Sequence, residues 1–152
     1  MAESQYIHKS HNVSVLLYHV VCAAKYRQVV FSVHVDEVVR EACLEIAKRD
    51  EMIFLEIGTD RDHVHFLIQA VPMYSPTKIV RTVKSLTARY VFARAPEVKK
   101  QLWGGEFWGK GDFINTVGQH GNERVIATYI RKQGQESVYK QLHKQALQLE
   151  LF

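Results

Sequence analysis

The stretch Met52–Val71, MIFLEIGTDRDHVHFLIQAV, decides the fold. Its two apolar runs, 52–58 and 63–71, have the length of strands. The polar link Thr59-Asp60-Arg61-Asp62 is tight enough to predict an antiparallel hairpin. The second run carries His63 and His65, two residues apart, so both imidazoles leave the same face while Val64 turns to the core.

Working outward, Val13–Ala24 (VSVLLYHVVCAA) is a β-branched apolar run that predicts a strand buried on both faces. The polar turn Lys25-Tyr26-Arg27-Gln28 follows it. Val33–Asp50 predicts a helix, because Val35, Val38, Val39, Ala42 and Ile46 recur at three- and four-residue steps while Glu37, Arg40, Glu41, Glu45 and Lys48 face outward. Ser75-Pro76 pairs a cap residue with proline at the first helical position and opens a second helix, reaching about Arg94. It buries Ile79, Val83, Leu86 and Tyr90, and Pro96 bars its continuation. A Gly- and Trp-rich loop, 102–109, leads to a short fourth strand, Asp112–Val117. Asn122 caps a helix through Gln133, and a helical tail is expected over 134–152. The order βαββαβ is the split βαβ, ferredoxin-like (RRM-like) α+β pattern: an antiparallel sheet with its helices on one face, plus C-terminal helices. Its first and third strands lie in the middle, which would put the histidine pair centrally on the sheet. No repeat or linker interrupts residues 1–152, so one domain is expected, with residues 1–12 as a flexible N-terminus.

Composition agrees with a folded globular domain. The chain has 152 residues, is 47% hydrophobic and 24% charged, and contains only 3 Pro, which excludes a disordered or low-complexity chain. Cys22 and Cys43 sit in apolar contexts without CxxC spacing and read as buried thiols of a reducing compartment. The longest apolar stretch, 13–24, is broken by Ser14 and His19 and falls short of the roughly 20 residues of a membrane span. The polar first twelve residues lack an apolar signal core, so a cytoplasmic protein without membrane contact is expected. Net charge is +4, and a pI near 9.1 points weakly to nucleic acid.

The charge is placed unevenly. Met73–Pro96 contains Lys78, Arg81, Lys84, Arg89 and Arg94 and no acid. Lys78, Arg81 and Lys84 form one stripe. A solvated helix face normally mixes signs, so a stripe of one sign favours phosphate contact. Lys25-Tyr26-Arg27 joins charge to an aromatic able to stack on a base. Trp103, Phe107 and Trp108 read equally as stacking residues or as core folded back over the sheet. His63 and His65 read either as an exposed polar face or as two imidazole ligands for a divalent metal. Tyr129 and Gln133, four apart on one helix face, read as a packing aromatic with a polar neighbour. Alternatively, they are a phenol nucleophile and an amide that completes the metal site. GxxxxGK[ST], GxGxxG and GxSxG are all missing, which argues against ATP-driven chemistry and a serine triad.

Five motifs in order then resemble the single-tyrosine HUH transposases of the 200/605 insertion-sequence family, over about residues 13–140. They are Tyr18-His19-Val20-Val21 leading to Lys25-Tyr26-Arg27; Asp62-His63-Val64-His65-Phe66-Leu67-Ile68; Phe107-Trp108-Gly109; Asn115-Thr116-Val117-Gly118; and Tyr129 with Gln133. The chain departs from the pattern at Cys22-Ala23-Ala24, where a larger aromatic and a Thr or Pro are usual. The resemblance implies a metal-dependent enzyme without a nucleotide cofactor that cuts and rejoins single-stranded DNA at hairpin-marked ends. It implies Tyr129 as the nucleophile forming a 5′-phosphotyrosine, and His63, His65 and Gln133 as ligands of Mg²⁺ or Mn²⁺. Lys25, Tyr26, Arg27, Lys78, Arg81, Lys84 and Arg89 are the expected DNA contacts. A homodimer is also implied, with sites completed in cis or in trans, and Gly118, Gly121 and Gly134 could serve as hinges around the tyrosine helix. Two alternatives stand beside this. One is a related enzyme, either a chromosomal repeat-associated tyrosine transposase or an HUH nickase. The other is a non-catalytic nucleic-acid-binding module on the same scaffold.

Overall fold

The computed structural model describes residues 7–9, 12–14, 16–102, 105–117 and 139–145. The expected hairpin forms from β4 (Met52–Thr59) and β5 (His63–Ala70). The first apolar run divides: β2 (Asn12–Ser14) pairs with β1 (Ile7–Lys9) in a separate two-stranded ladder, and β3 (Leu16–Ala23) enters the main sheet. Residues 7–9 and 12, expected to be part of a flexible N-terminus, are therefore strand.

Helix α1 (Val33–Arg49) starts where Ser32 Oγ accepts from the Val35 amide at 3.2 Å. All five of its predicted apolar positions are buried. Helix α2 (Pro76–Arg94) starts likewise at Ser75, whose Oγ accepts from the Lys78 amide at 3.1 Å. Proline does not simply end the helical path: after Ala95, Pro96 takes the first position of a new short helix, α3 (Pro96–Gln101), a place its missing N–H does not penalise. Strand β6 (Phe113–Val117) completes the βαββαβ order.

The main sheet runs β6-β3-β5-β4-β7, antiparallel throughout, so the first and third strands of the pattern are central as expected. The expected helical tail over 134–152 is corrected at Lys140–Lys144, which form β7 on the outer edge of β4. The physical reason is the open edge of β4, which takes a fifth strand. Leu142 packs toward the core and Lys140 reaches the Phe31 carbonyl and Asp36, on the helix side. The fully buried β4 thereby gains a partner for an otherwise open edge. The tyrosine helix expected over 122–133 lies outside the described residues.

Both long helices cover one face. Val20, Phe54, Phe66 and Ile68 of the sheet meet Val39 of α1 and Val83 of α2 in the main core. Phe66 is fully buried there, and its truncation to Ala would cost about 3–5 kcal/mol. The opposite face carries an apolar patch, Leu17, Ile53, Leu55 and Leu67, at one end. A bulge between Phe54 and Glu56 inserts Leu55 and brings Glu56 opposite Leu67, onto this second face. The histidines occupy its other end.

Candidate active site

His63 and His65 leave β5 on the face away from α1 and α2, while Val64 between them is buried in the helix-side core. The polar link that makes the hairpin also supplies their partners. Asp60 Oδ1 accepts from the backbone N–H of Asp62 (3.2 Å) and of His63 (3.0 Å), closing the turn. Its Oδ2 accepts from His65 Nε2 at 2.8 Å. Asp62 Oδ1 lies 2.7 Å from His63 Nδ1, with Asp60 Oδ1 farther away at 3.6 Å. Arg27 Nε donates to the other oxygen of Asp62 at 2.8 Å.

These contacts set the charge states. Burial opposes ionisation of Asp60, but the hydrogen bonds and charges of His63 and His65 outweigh it, so the carboxyl titrates well below the usual range. His63 is raised by its hydrogen bond to Asp60, against burial, with the charges of Asp62 and Asp60 adding to the rise. On the neighbouring strand, His19 stacks on His65 at 6.0 Å between ring centroids. Burial, helped by the charge of His65, lowers His19 to about 4, so it is neutral at ordinary pH.

Tyr139, just before β7, sets its ring edge-on to His65 at 5.8 Å and donates its hydroxyl to Glu56 Oε2 at 2.6 Å. Gln141 Nε2 donates to the other oxygen of Glu56 at 2.9 Å. Burial and the bond to Glu56 push the Tyr139 phenol well above its ordinary pKa, which makes it a poor nucleophile as it stands. Cys22 and Cys43 are buried, and burial pushes Cys22 up to about 12, so neither thiol suits nucleophilic work.

Among the described residues, Asp60, Asp62 and His63 bring one ligand atom each to within 4.8 Å of one another. Carboxylate oxygens suit hard divalent ions and imidazole nitrogen divalent transition ions, so the set fits a divalent cation. The structure thus brings His63 and His65 together with two acids. Tyr129 and Gln133 lie outside the described residues.

The expected DNA contacts divide by what already holds them. Lys25 is paired with Glu106 at 2.8 Å, and Tyr26 is 59% exposed beside it. Lys84 lies 2.6 Å from Asp112 and donates to the Gly109 carbonyl. Lys78 stands 4.8 Å over the Tyr74 ring. Arg81 and Arg89 are exposed and line a groove of about 800 Å³ between α2 and residues 105–114, together with Val80, Ala88, Phe92 and Ile114. Phe107 and Trp108, ambiguous in sequence, are core: Trp108 Nε1 donates to the buried Thr87 hydroxyl at 2.9 Å. Trp103 is outside the described residues.

Sequence reasoning missed Asp60, Asp62, His19, Glu56 and Tyr139 as members of this site. An Asp-x-Asp immediately before the histidine pair was the available signal for the first two. A glycine inside a buried strand, Gly58, was the signal for Tyr139, since it marks a close approach. A Cβ there would come within 1.9 Å of the Tyr139 hydroxyl oxygen.

Residues 12–133 match the family model described as "Transposase IS200 like". The chain is 30% identical over 118 residues to the ISDra2 transposase TnpA of Deinococcus radiodurans, covering 78% of this chain and 84% of that one. It is 27% identical over 119 residues to the transposase for insertion sequence element IS200 of Salmonella typhimurium, covering 78% and 77%. A crystal structure of a putative transposase from Deinococcus radiodurans superposes with a TM-score of 0.67 at 28% identity, over 83% of this chain and 96% of that one. A REP-associated tyrosine transposase bound to a REP hairpin shares the fold, with a TM-score of 0.55 at 10% identity over 84% and 72%.

Proposed function

The chain belongs to the IS200-like transposase family, and on that premise we propose that it cuts and rejoins single-stranded DNA at hairpin-marked insertion-sequence ends through a 5′-phosphotyrosine. The observation that carries the reading is the gathering of His63 and His65 with Asp60 and Asp62 at one end of the helix-free sheet face.

Tyr129 is the proposed nucleophile, on the match of Tyr129 and Gln133 to the family motif. Its phenol gives up a proton and bonds to phosphorus while the P–O3′ bond breaks. The departing oxygen takes a proton and leaves as a 3′-hydroxyl. The reverse reaction, with a 3′-hydroxyl attacking the phosphotyrosine, rejoins the strand. The ester keeps the energy of the broken phosphodiester, so no nucleotide fuel is needed. His63, His65 and Gln133 are the proposed holders of Mg²⁺ or Mn²⁺, which when bound supplies positive charge against the scissile phosphate oxygens. Asp60 and Asp62 hold the two imidazoles in fixed orientation, a support that ligand histidines commonly have. Lys78, Arg81 and Arg89 offer exposed cations to the hairpin phosphates, with Lys84 sharing its charge with Asp112. Lys25, Tyr26 and Arg27 face the strand beside the histidines. A homodimer, with each Tyr129 serving its own or its partner's histidines, is part of the proposal.

The test is adduct formation on a labelled hairpin oligonucleotide with Mn²⁺. The wild type is expected to give a denaturant-resistant covalent species. Tyr129→Phe should give none while binding the hairpin almost as well, and EDTA should abolish cleavage. Undiminished cleavage in EDTA would remove the metal role, and tight binding without any nick would favour the non-catalytic module.

A further inference from the structure

The turn after β3 holds two consecutive non-glycine residues in the left-handed region, Tyr26 (φ 59°, ψ 19°) and Arg27 (φ 53°). Side chains avoid this conformation, and two in a row persist only where the surroundings over-determine it. Here they do. The Ala24 amide donates to the Asp62 carbonyl and the Lys25 amide to the Phe107 carbonyl, both at 2.8 Å. The Arg27 amide closes back on the Ala24 carbonyl at 2.9 Å. The turn is clamped between the histidine hairpin and the core segment around Phe107.

The side chains point to what the strained turn achieves. Arg27 reaches Asp62, and Asp62 holds His63, so the turn is joined to the candidate metal ligand by contacts of 2.8 and 2.7 Å. Tyr26 is left 59% exposed, the more exposed of the two large aromatics that stand out on the described surface, the other being Phe113 at 44%. The Lys25 ammonium lies 5.3 Å from the Tyr26 ring centroid. An exposed aromatic ring on a braced turn, beside a cation, is a platform on which an unpaired base stacks, whatever its sequence.

We propose that Tyr26 is the stacking residue for an unpaired nucleobase next to the scissile phosphate, its ring fixed relative to His63 by the Arg27–Asp62 contact. This rests on the DNA reading given above and assigns one subsite within it. Tyr26 binds the substrate, and Arg27 and Asp62 are positioning residues.

The substitution that separates the role from the strain is Tyr26→Gly, because glycine accepts the left-handed backbone at no steric cost. The probe is a DNA hairpin with a single-stranded flank of about twelve nucleotides carrying one 2-aminopurine, a length within the footprint of small single-strand binders. Binding is read in EDTA, so no cleavage chemistry enters. The wild type is expected to quench the 2-aminopurine; Tyr26→Gly should retain its melting temperature, lose the quench and bind about tenfold more weakly. Tyr26→Phe should keep both the quench and the affinity. Equal binding and quenching by wild type and Tyr26→Gly would overturn the stacking assignment alone. A wild type that does not bind the probe would overturn the DNA reading and the assignment with it.

Discussion

Asp60 Oδ2 accepts from His65 Nε2 at 2.8 Å while Oδ1 of the same carboxylate caps the β4–β5 turn. One buried acid therefore serves both the hairpin and the presentation of a candidate metal ligand.

Asp60→Asn separates the two duties. The amide oxygen can still close the turn, but an amide nitrogen then faces Nε2. The imidazole must move its proton to Nδ1 to accept from it, and Nδ1 is then blocked as a ligand. Mn²⁺ affinity, read by paramagnetic resonance titration, is expected to fall about 10–100-fold. The folding stability of the metal-free chain, read by thermal melting, should drop by a comparable margin, of order 1–3 kcal/mol. Unchanged Mn²⁺ affinity would count against the orienting role.

Asp60 and His63 together predict a pH dependence for the metal-free protein. His63 is raised in the folded state, so its contribution is complete below the unfolded value of about 6.5 and is lost as pH rises through the folded value. Asp60 is depressed, so its contribution is present above about 4 and is lost as pH falls below that. Melting curves across pH should show Asp60→Asn flattening both losses, since it removes the partner that raises His63. His63→Gln should remove the alkaline-side loss, while His65 keeps part of the acid-side one.

Gly58→Ala should drive Tyr139 off its seat, since the new methyl would lie 1.9 Å from the phenol oxygen. A loss of about 1–3 kcal/mol is expected from such overpacking. In combination with Tyr139→Ala the two losses should not add, because the second change removes the clash. A denaturant double-mutant cycle reads the coupling.

Arg81 and Arg89 line the groove beside α2 and are exposed. If each neutralises one phosphate, Arg81→Gln and Arg89→Gln should each lower the slope of log affinity against log salt by roughly 0.7–0.9. Fluorescence anisotropy with a hairpin oligonucleotide at several salt concentrations measures this. A slope unchanged in both variants would move the phosphate contacts elsewhere.

Much of the scaffold was legible because hydrophobic period and local capping agree in it. Ser75 caps the helix it was read to cap, and the histidine strand is central because βαββαβ order leaves it there. What escaped depended on long-range partners. Lys140–Lys144, KQLHK, has no strong strand signal and becomes β7 because the edge of β4, some eighty residues earlier, accepts it. Trp108 was undecidable from its glycine neighbours, and the buried Thr87 hydroxyl decides it. Asp60 read as a turn residue, which it is; its second oxygen turned toward His65 only once strand pairing placed the ring beside it.

The position of β7 also shapes how the protein comes into being. The partner of β4 is made some eighty residues after it, so a nascent chain exposes that edge, with its unsatisfied amides and carbonyls, until residues 140–144 have emerged. Maturation of the site thus coincides with closure of the sheet: the strand that seals the edge brings Tyr139 to His65.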